Sequence, residues 1–157
     1  MILKELDIDE VKEYIKAQSP ETKVYLGADS ERNKINGEWY ADYITAVVVH
    51  IDGEHGCKVF GGVRRERDYD QKKNKPAMRL MNEVYAVADI FDALKDVLED
   101  RYVEVHLDLN PDLRYGSSCV VQQAVGYIKG VCGISPMIKP NSWAASHCAD
   151  RYKDLIW

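Results

Sequence analysis

At 157 residues, 46% hydrophobic and 30% charged, the chain has the size and composition of one folded domain. No run approaches the roughly 18–20 consecutive apolar residues that cross a bilayer, which excludes a helical membrane protein. A net charge of −5 argues against bulk electrostatic coating of nucleic acid, yet suits an acidic cluster that metal ions neutralise.

Met1 to Asp7 turns acidic at once and lacks the apolar centre of a secretory signal. The protein is therefore expected in the cytoplasm, with no membrane partner. Cys57, Cys119, Cys132 and Cys148 include no Cys-x-x-Cys pair and are expected as reduced thiols, mostly buried. A zinc site at His147 and Cys148 lacks the second close pair of ligands that structural zinc uses.

Along the chain, Asp7 or Asp9 caps a short first helix with Val11, Tyr14 and Ile15 at helical spacing. Lys23 to Leu26 is a strand running into Gly27-Ala28-Asp29-Ser30. Asn36-Gly37 marks a hairpin turn. Trp39 to Ile51 forms the second strand, Asp52-Gly53 a second hairpin, and Cys57 to Arg64 the third strand.

The period then changes. Leu80, Val84, Val87, Phe91, Leu94 and Leu98 form a helical stripe that opens near Pro76. Tyr102 to Leu109 is the fourth strand. A helix from Ser117 or Ser118 to Val131 follows, then a short fifth strand from Ile134 to Lys139. Ser142 opens a last helix through Asp150. One domain spans 1–157, with its core at about 23–152 and a short helix before it.

Three hairpin-linked strands followed by βαβ units give an α/β fold, a five-stranded mixed sheet flanked by helices. With the fourth strand beside the first, the order is 3-2-1-4-5, the ribonuclease H-like arrangement. Asp29 and Asp108 then lie towards the ends of neighbouring strands about 4.8 Å apart. Either acid alone reads equally as a salt-bridged strand end.

Glu83 points about 60° from Leu80 and about 40° from Val87 at 100° per residue, so it borders the buried stripe. Asp150 follows the last strand, with His147 three residues earlier on the same helical face. The weight lies in the set: this topology brings all four acids together.

Gly27-Ala28-Asp29-Ser30, Arg79-Leu80-Met81-Asn82-Glu83, His106-Leu107-Asp108-Leu109-Asn110 and the block from Ile138 to Arg151 carry a family likeness. That block reads Ile-Lys-Pro-Asn-Ser-Trp-Ala-Ala-Ser-His-Cys-Ala-Asp-Arg. From about Lys23 to Tyr152 the chain resembles the YkuK-like, ribonuclease-H-like nuclease family of bacteria and phages. The resemblance implies a ribonuclease H fold with metal-binding acids at Asp29, Glu83, Asp108 and Asp150. It also implies a bacterial cell, with the gene in host or phage. Relatives commonly carry Thr where this chain has Ala28, a side chain expected to face away from the metal.

The chemistry expected is two-metal phosphodiester hydrolysis, with RNA or an RNA–DNA hybrid favoured over DNA. Oxygen ligands select Mg²⁺ or Mn²⁺, two ions with substrate bound. Asp29 would bridge them, Asp108 and Glu83 would hold one ion, and Asp150 the other. His147 would shuttle a proton or contact phosphate. His106 and Ser30 are expected to orient the ligands from behind.

The segment from Arg64 to Arg79 carries seven basic residues against three acids. From it Arg64, Arg65, Lys72, Lys73, Lys75 and Arg79 are expected to grip the nucleic-acid backbone, with Lys139 and Arg151. The Ser117-Ser118 helix start offers N–H groups for a further phosphate. Tyr69 and Trp143 could stack on bases, although Trp143 suits a core equally. Two other classes fit the same residues: a non-cutting module that binds nucleic acid or a protein partner, and a branched-DNA resolvase.

Overall fold

The computed structural model describes residues 1–70, 77–112 and 114–149. Helix α1, Ile8–Lys16, opens on Asp7, whose carboxylate accepts the Glu10 N–H at 3.1 Å. Strands β2 (Lys23–Ile35) and β3 (Glu38–His50) pair antiparallel without a break from Lys23↔His50 to Ile35↔Glu38. Asn36 (φ 51°) and Gly37 (φ 82°) form the two-residue turn, both at the positive φ that such a hairpin demands. The strand bearing Asp29 therefore runs straight on to the turn.

Strand β4, Cys57–Arg67, pairs with β3 over its full length, three residues past the expected Arg64. Asp52-Gly53 makes no tight two-residue turn. Register pairs His50 with Cys57, so six residues connect the strands, beginning with a 3₁₀ turn over Ile51–Gly53.

Helix α2, Ala77–Leu98, buries Leu80, Val84, Val87, Leu94 and Leu98, the stripe read from the sequence. Its first turn is held by Asp70, whose carboxylate accepts the Met78 and Arg79 N–H groups at 3.0 Å each. Strand β5, Tyr102–Leu107, runs parallel to β2, and helix α3, Val121–Cys132, closes at Gly133 in the left-handed region (φ 74°). α3 starts later than expected. Gly116–Val120 forms a 3₁₀ turn, and Ser117 Oγ accepts the Asn110 N–H (2.8 Å) instead of capping α3.

From the Asp29 strand outward, the expected order 3-2-1-4 is β4-β3-β2-β5. The segment from Ile134 to Lys139 takes the place beside β5 as a single parallel bridge, His106↔Met137. The other edge carries β1, Ile2–Lys4, paired antiparallel with β4 and not foreseen from three residues of sequence. The sheet thus has five strands of mixed direction, in the order β1-β4-β3-β2-β5.

Alternation sorts the faces. Val24, Leu26, Ala28, Val47, Val49, Val105 and Leu107 join α1, α2 and α3 in the main core. Ile44, Ala46 and Val63 face the other way, packing with Ala149 of a closing π-helical segment, Ala144–Ala149. Ser142 precedes that segment but does not cap it with its hydroxyl. Its Oγ is buried without a hydrogen bond, and its carbonyl accepts the Ala145 and Ser146 N–H groups. Among the described residues no helix is long and apolar enough to cross a membrane.

Candidate functional site

Asp29 and Asp108 fall at neighbouring positions, as register requires. Ala28 pairs with Leu107, so each acid lies one residue beyond a paired position on neighbouring parallel strands. Asp29 lies opposite Ile44 on the face covered by the closing segment, whereas Ala28 is buried in the main core. The Asp29 carboxylate accepts the Ser30 N–H at 2.8 Å. Asp108 lies 3.0 Å from the Lys139 ammonium through its Oδ1, an atom buried without a hydrogen bond of good geometry.

Glu83 approaches from α2, on the main-core side of the sheet, near enough to feel the charges of Asp29 and Asp108, and is only 4% exposed. Burial pushes its carboxyl well above the usual range, and the negative charges of Asp29 and Asp108 push it further. The Ser30 hydroxyl, which donates to Glu83 Oε2 at 2.5 Å, and the Arg79 charge offset this only partly. Desolvation dominates because a carboxylate in the core forfeits its water.

The closing segment approaches β2 closely at Gly27. A Cβ there would stand 2.6 Å from the Ala144 carbonyl carbon and 2.6 Å from the Ala145 nitrogen. His106 fastens the same point: its Nδ1 accepts the Ala144 N–H (2.9 Å), which leaves the Nε2 proton to face Glu104 Oε1 (2.8 Å). Burial lowers the His106 pKa, consistent with a neutral ring. Both ring nitrogens are thus engaged away from Asp108. The expectation that His106 orients Asp108 gives way to a different role, anchoring the segment that bears His147.

Trp143 packs on Tyr25 and His106, with ring centroids 4.6 and 5.0 Å apart, and Tyr69 is exposed with the Arg67 guanidinium over its ring. His147 is exposed. Asp150, Lys72, Lys73, Lys75 and Arg151 lie outside the described residues.

The expected backbone grip divides. Arg64 is exposed and paired with Glu66 at 2.7 Å, while Lys139 lies on Asp108. Arg65 turns inward: Nε and Nη2 meet the two oxygens of buried Asp42 at 2.7 and 2.9 Å, and Asn33 completes the group at 2.9 Å. A phosphate could recruit Arg65 only by stranding a buried carboxylate, so its expected role there is corrected to a structural one. Arg79 is likewise turned in, donating to Ser30 Oγ at 2.8 Å.

Sequence reading missed the close approach at Gly27 and the capping by Asp70. The Gly before Ala-Asp-Ser was a visible signal for the first; nothing local marked the second.

Among the described residues, no three His, Cys, Asp or Glu side chains are grouped so as to hold a metal ion. Asp29, Glu83 and Asp108 carry only oxygen donors, with Asp150 outside the described residues, and Asp108 Oδ1 stands 3.0 Å from the Lys139 ammonium. Such donors fit a hard divalent ion such as Mg²⁺ or Mn²⁺. No curated protein and no solved structure matches the chain. A family model described as Ribonuclease H-like matches residues 7–154, and the chain belongs to that family.

Proposed function

We propose that the protein is a metal-dependent nuclease that hydrolyses phosphodiester bonds, with RNA or an RNA–DNA hybrid as its favoured substrate. The observation carrying this reading is the neighbouring placement of Asp29, within β2, and Asp108, just past the end of β5, near a Glu83 buried enough to feel both charges. Carboxylates that feel one another's charge repel unless a cation joins them. Asp29, Glu83 and Asp108, with Asp150, would hold Mg²⁺ or Mn²⁺. When bound, the ions supply water activation near neutral pH and neutralise charge on the leaving oxygen.

The chain's own groups do the rest. His147, exposed on the closing segment, can carry a proton to the leaving oxygen as water's oxygen replaces it on phosphorus. Arg64, Lys139 and the run containing Lys72, Lys73 and Lys75, together with Arg151, position the phosphate backbone without reading bases.

One observation favours a non-cutting nucleic-acid-binding module instead: the Lys139 ammonium already neutralises Asp108. Labelled RNA–DNA hybrid, single-stranded RNA, duplex DNA and a four-way junction, each with Mn²⁺, Mg²⁺ or EDTA, separate the readings. Metal-dependent cutting of hybrid or RNA, lost in Asp108→Asn, is the expected result. Cutting confined to the junction would identify a resolvase. Binding without cutting would identify the module, and cutting that survives Asp108→Asn would remove these acids from the chemistry.

A further inference from the structure

Arg79 and Glu83 stand four residues apart on one face of α2. No direct ion pair joins them among the described residues, although four-residue spacing permits one. Ser30 of β2 stands between: Arg79 Nη1 donates to Ser30 Oγ at 2.8 Å, and Ser30 Oγ donates to Glu83 Oε2 at 2.5 Å. The Arg79 Nε is buried beside them without a hydrogen bond, so the guanidinium is committed inward instead of facing solvent.

We infer that Arg79 is a positioning residue which, through the Ser30 hydroxyl, fixes the Glu83 carboxylate for metal binding. A guanidinium paired directly with Glu83 would take both carboxylate oxygens in a fork and compete with a metal ion. The interposed hydroxyl occupies only Oε2 and leaves Oε1 to serve as donor. Its single proton points at Glu83 because its lone pair is held by Arg79, so the direction of the bond is set. The positive charge stays close enough to temper a buried carboxylate without sitting on it. Arg79 is thereby reassigned from a phosphate contact to a support for a ligand, the kind of outer partner whose loss weakens metal affinity.

The inference rests on the proposed metal-binding reading of Glu83, and calorimetric titration of the intact chain with Mn²⁺ keeps the two apart. Ser30→Ala and Arg79→Gln should each weaken Mn²⁺ binding by about 10-fold or more. The double variant should lose clearly less than the sum of the two single losses, since Arg79 positions Glu83 through the hydroxyl and adds only a weaker direct charge effect. Ser30→Thr, which restores a hydroxyl, should recover most of the affinity lost in Ser30→Ala. Thermal unfolding without metal shows whether each variant folds, and Arg79→Lys replaces Arg79→Gln if the latter does not. A parent chain that binds Mn²⁺ with Arg79→Gln unchanged overturns the relay and spares the metal site. Losses that add in the double variant overturn it too, because Arg79 then acts independently. A parent chain that binds no Mn²⁺ overturns both.

Discussion

Gly27 and Ala144 touch backbone to backbone: a Cβ on Gly27 would lie 2.6 Å from the Ala144 carbonyl carbon, closer than any real side chain sits. This contact sets the closing segment over β2, two residues before Asp29. Gly27→Ala must push the segment away or bend β2, which costs about 1–3 kcal/mol. A fall in melting temperature of roughly 3–10 °C is expected in a domain of this size, with weaker Mn²⁺ binding alongside. A variant as stable as the parent would mean that the segment yields freely and does not rely on this contact.

Glu83 gives the metal-free protein an unusual pH response. Its folded carboxyl is raised by burial and by Asp29 and Asp108, so the native state keeps a proton that the unfolded chain releases earlier. The resulting stability is complete below about pH 4.5, near the unfolded value, and is lost as pH rises through the raised folded value. At pH 8 without metal, Glu83→Gln should melt about 2–4 °C above the parent, roughly 1 kcal/mol, and the gap should close towards pH 4. With saturating Mn²⁺ the order should reverse, since the parent alone gains the full ligand set. Scanning calorimetry across this range checks both arms; a Glu83→Gln that melts lower at pH 8 would show that the Ser30 bond outweighs the burial penalty.

Arg65 tests whether the basic run acts as one surface. Paired with an Asp42 that is 3% exposed, it should matter to folding. Arg65→Gln should cost about 3 kcal/mol in urea denaturation, as expected for breaking a buried pair. The salt dependence of nucleic-acid binding should stay unchanged. A lower salt slope with full stability would return Arg65 to the phosphate-contact surface.

Lys139 and a divalent ion cannot both neutralise Asp108 at full strength. The pair is partly exposed, so solvent limits it to about 1 kcal/mol. Lys139→Gln should accordingly bind Mn²⁺ about fivefold more tightly by calorimetry. Unchanged or weaker binding would indicate that the ammonium stays clear of the ion, and that its contact with Asp108 gives way at no cost.

How far the site was legible differs residue by residue. Asp29, Asp108 and Glu83 could be brought together on paper because strand order, a parallel register and a helical period each follow short-range rules. The inward turn of Arg65 and Arg79 could not. Both sit in a stretch whose composition reads as a solvated basic patch, and their partners, Asp42 and Ser30, lie 23 and 49 residues away. His106 misled for a similar reason: alternation put it on the face of Asp108, but its Nδ1 found a backbone N–H 38 residues downstream.

The sequence by itself determined the hairpin at Asn36-Gly37, the buried stripe of α2, the mixed sheet and the neighbouring strands of Asp29 and Asp108. Those features depend on local torsional preference, apolar periodicity and the few ways that βαβ units connect. Only the tertiary structure decided which charges face solvent, which hydroxyl lies between Arg79 and Glu83, and how tightly Gly27 receives Ala144. Polar side chains take whichever partner burial brings within 3 Å, and that is settled by packing between elements far apart in the chain.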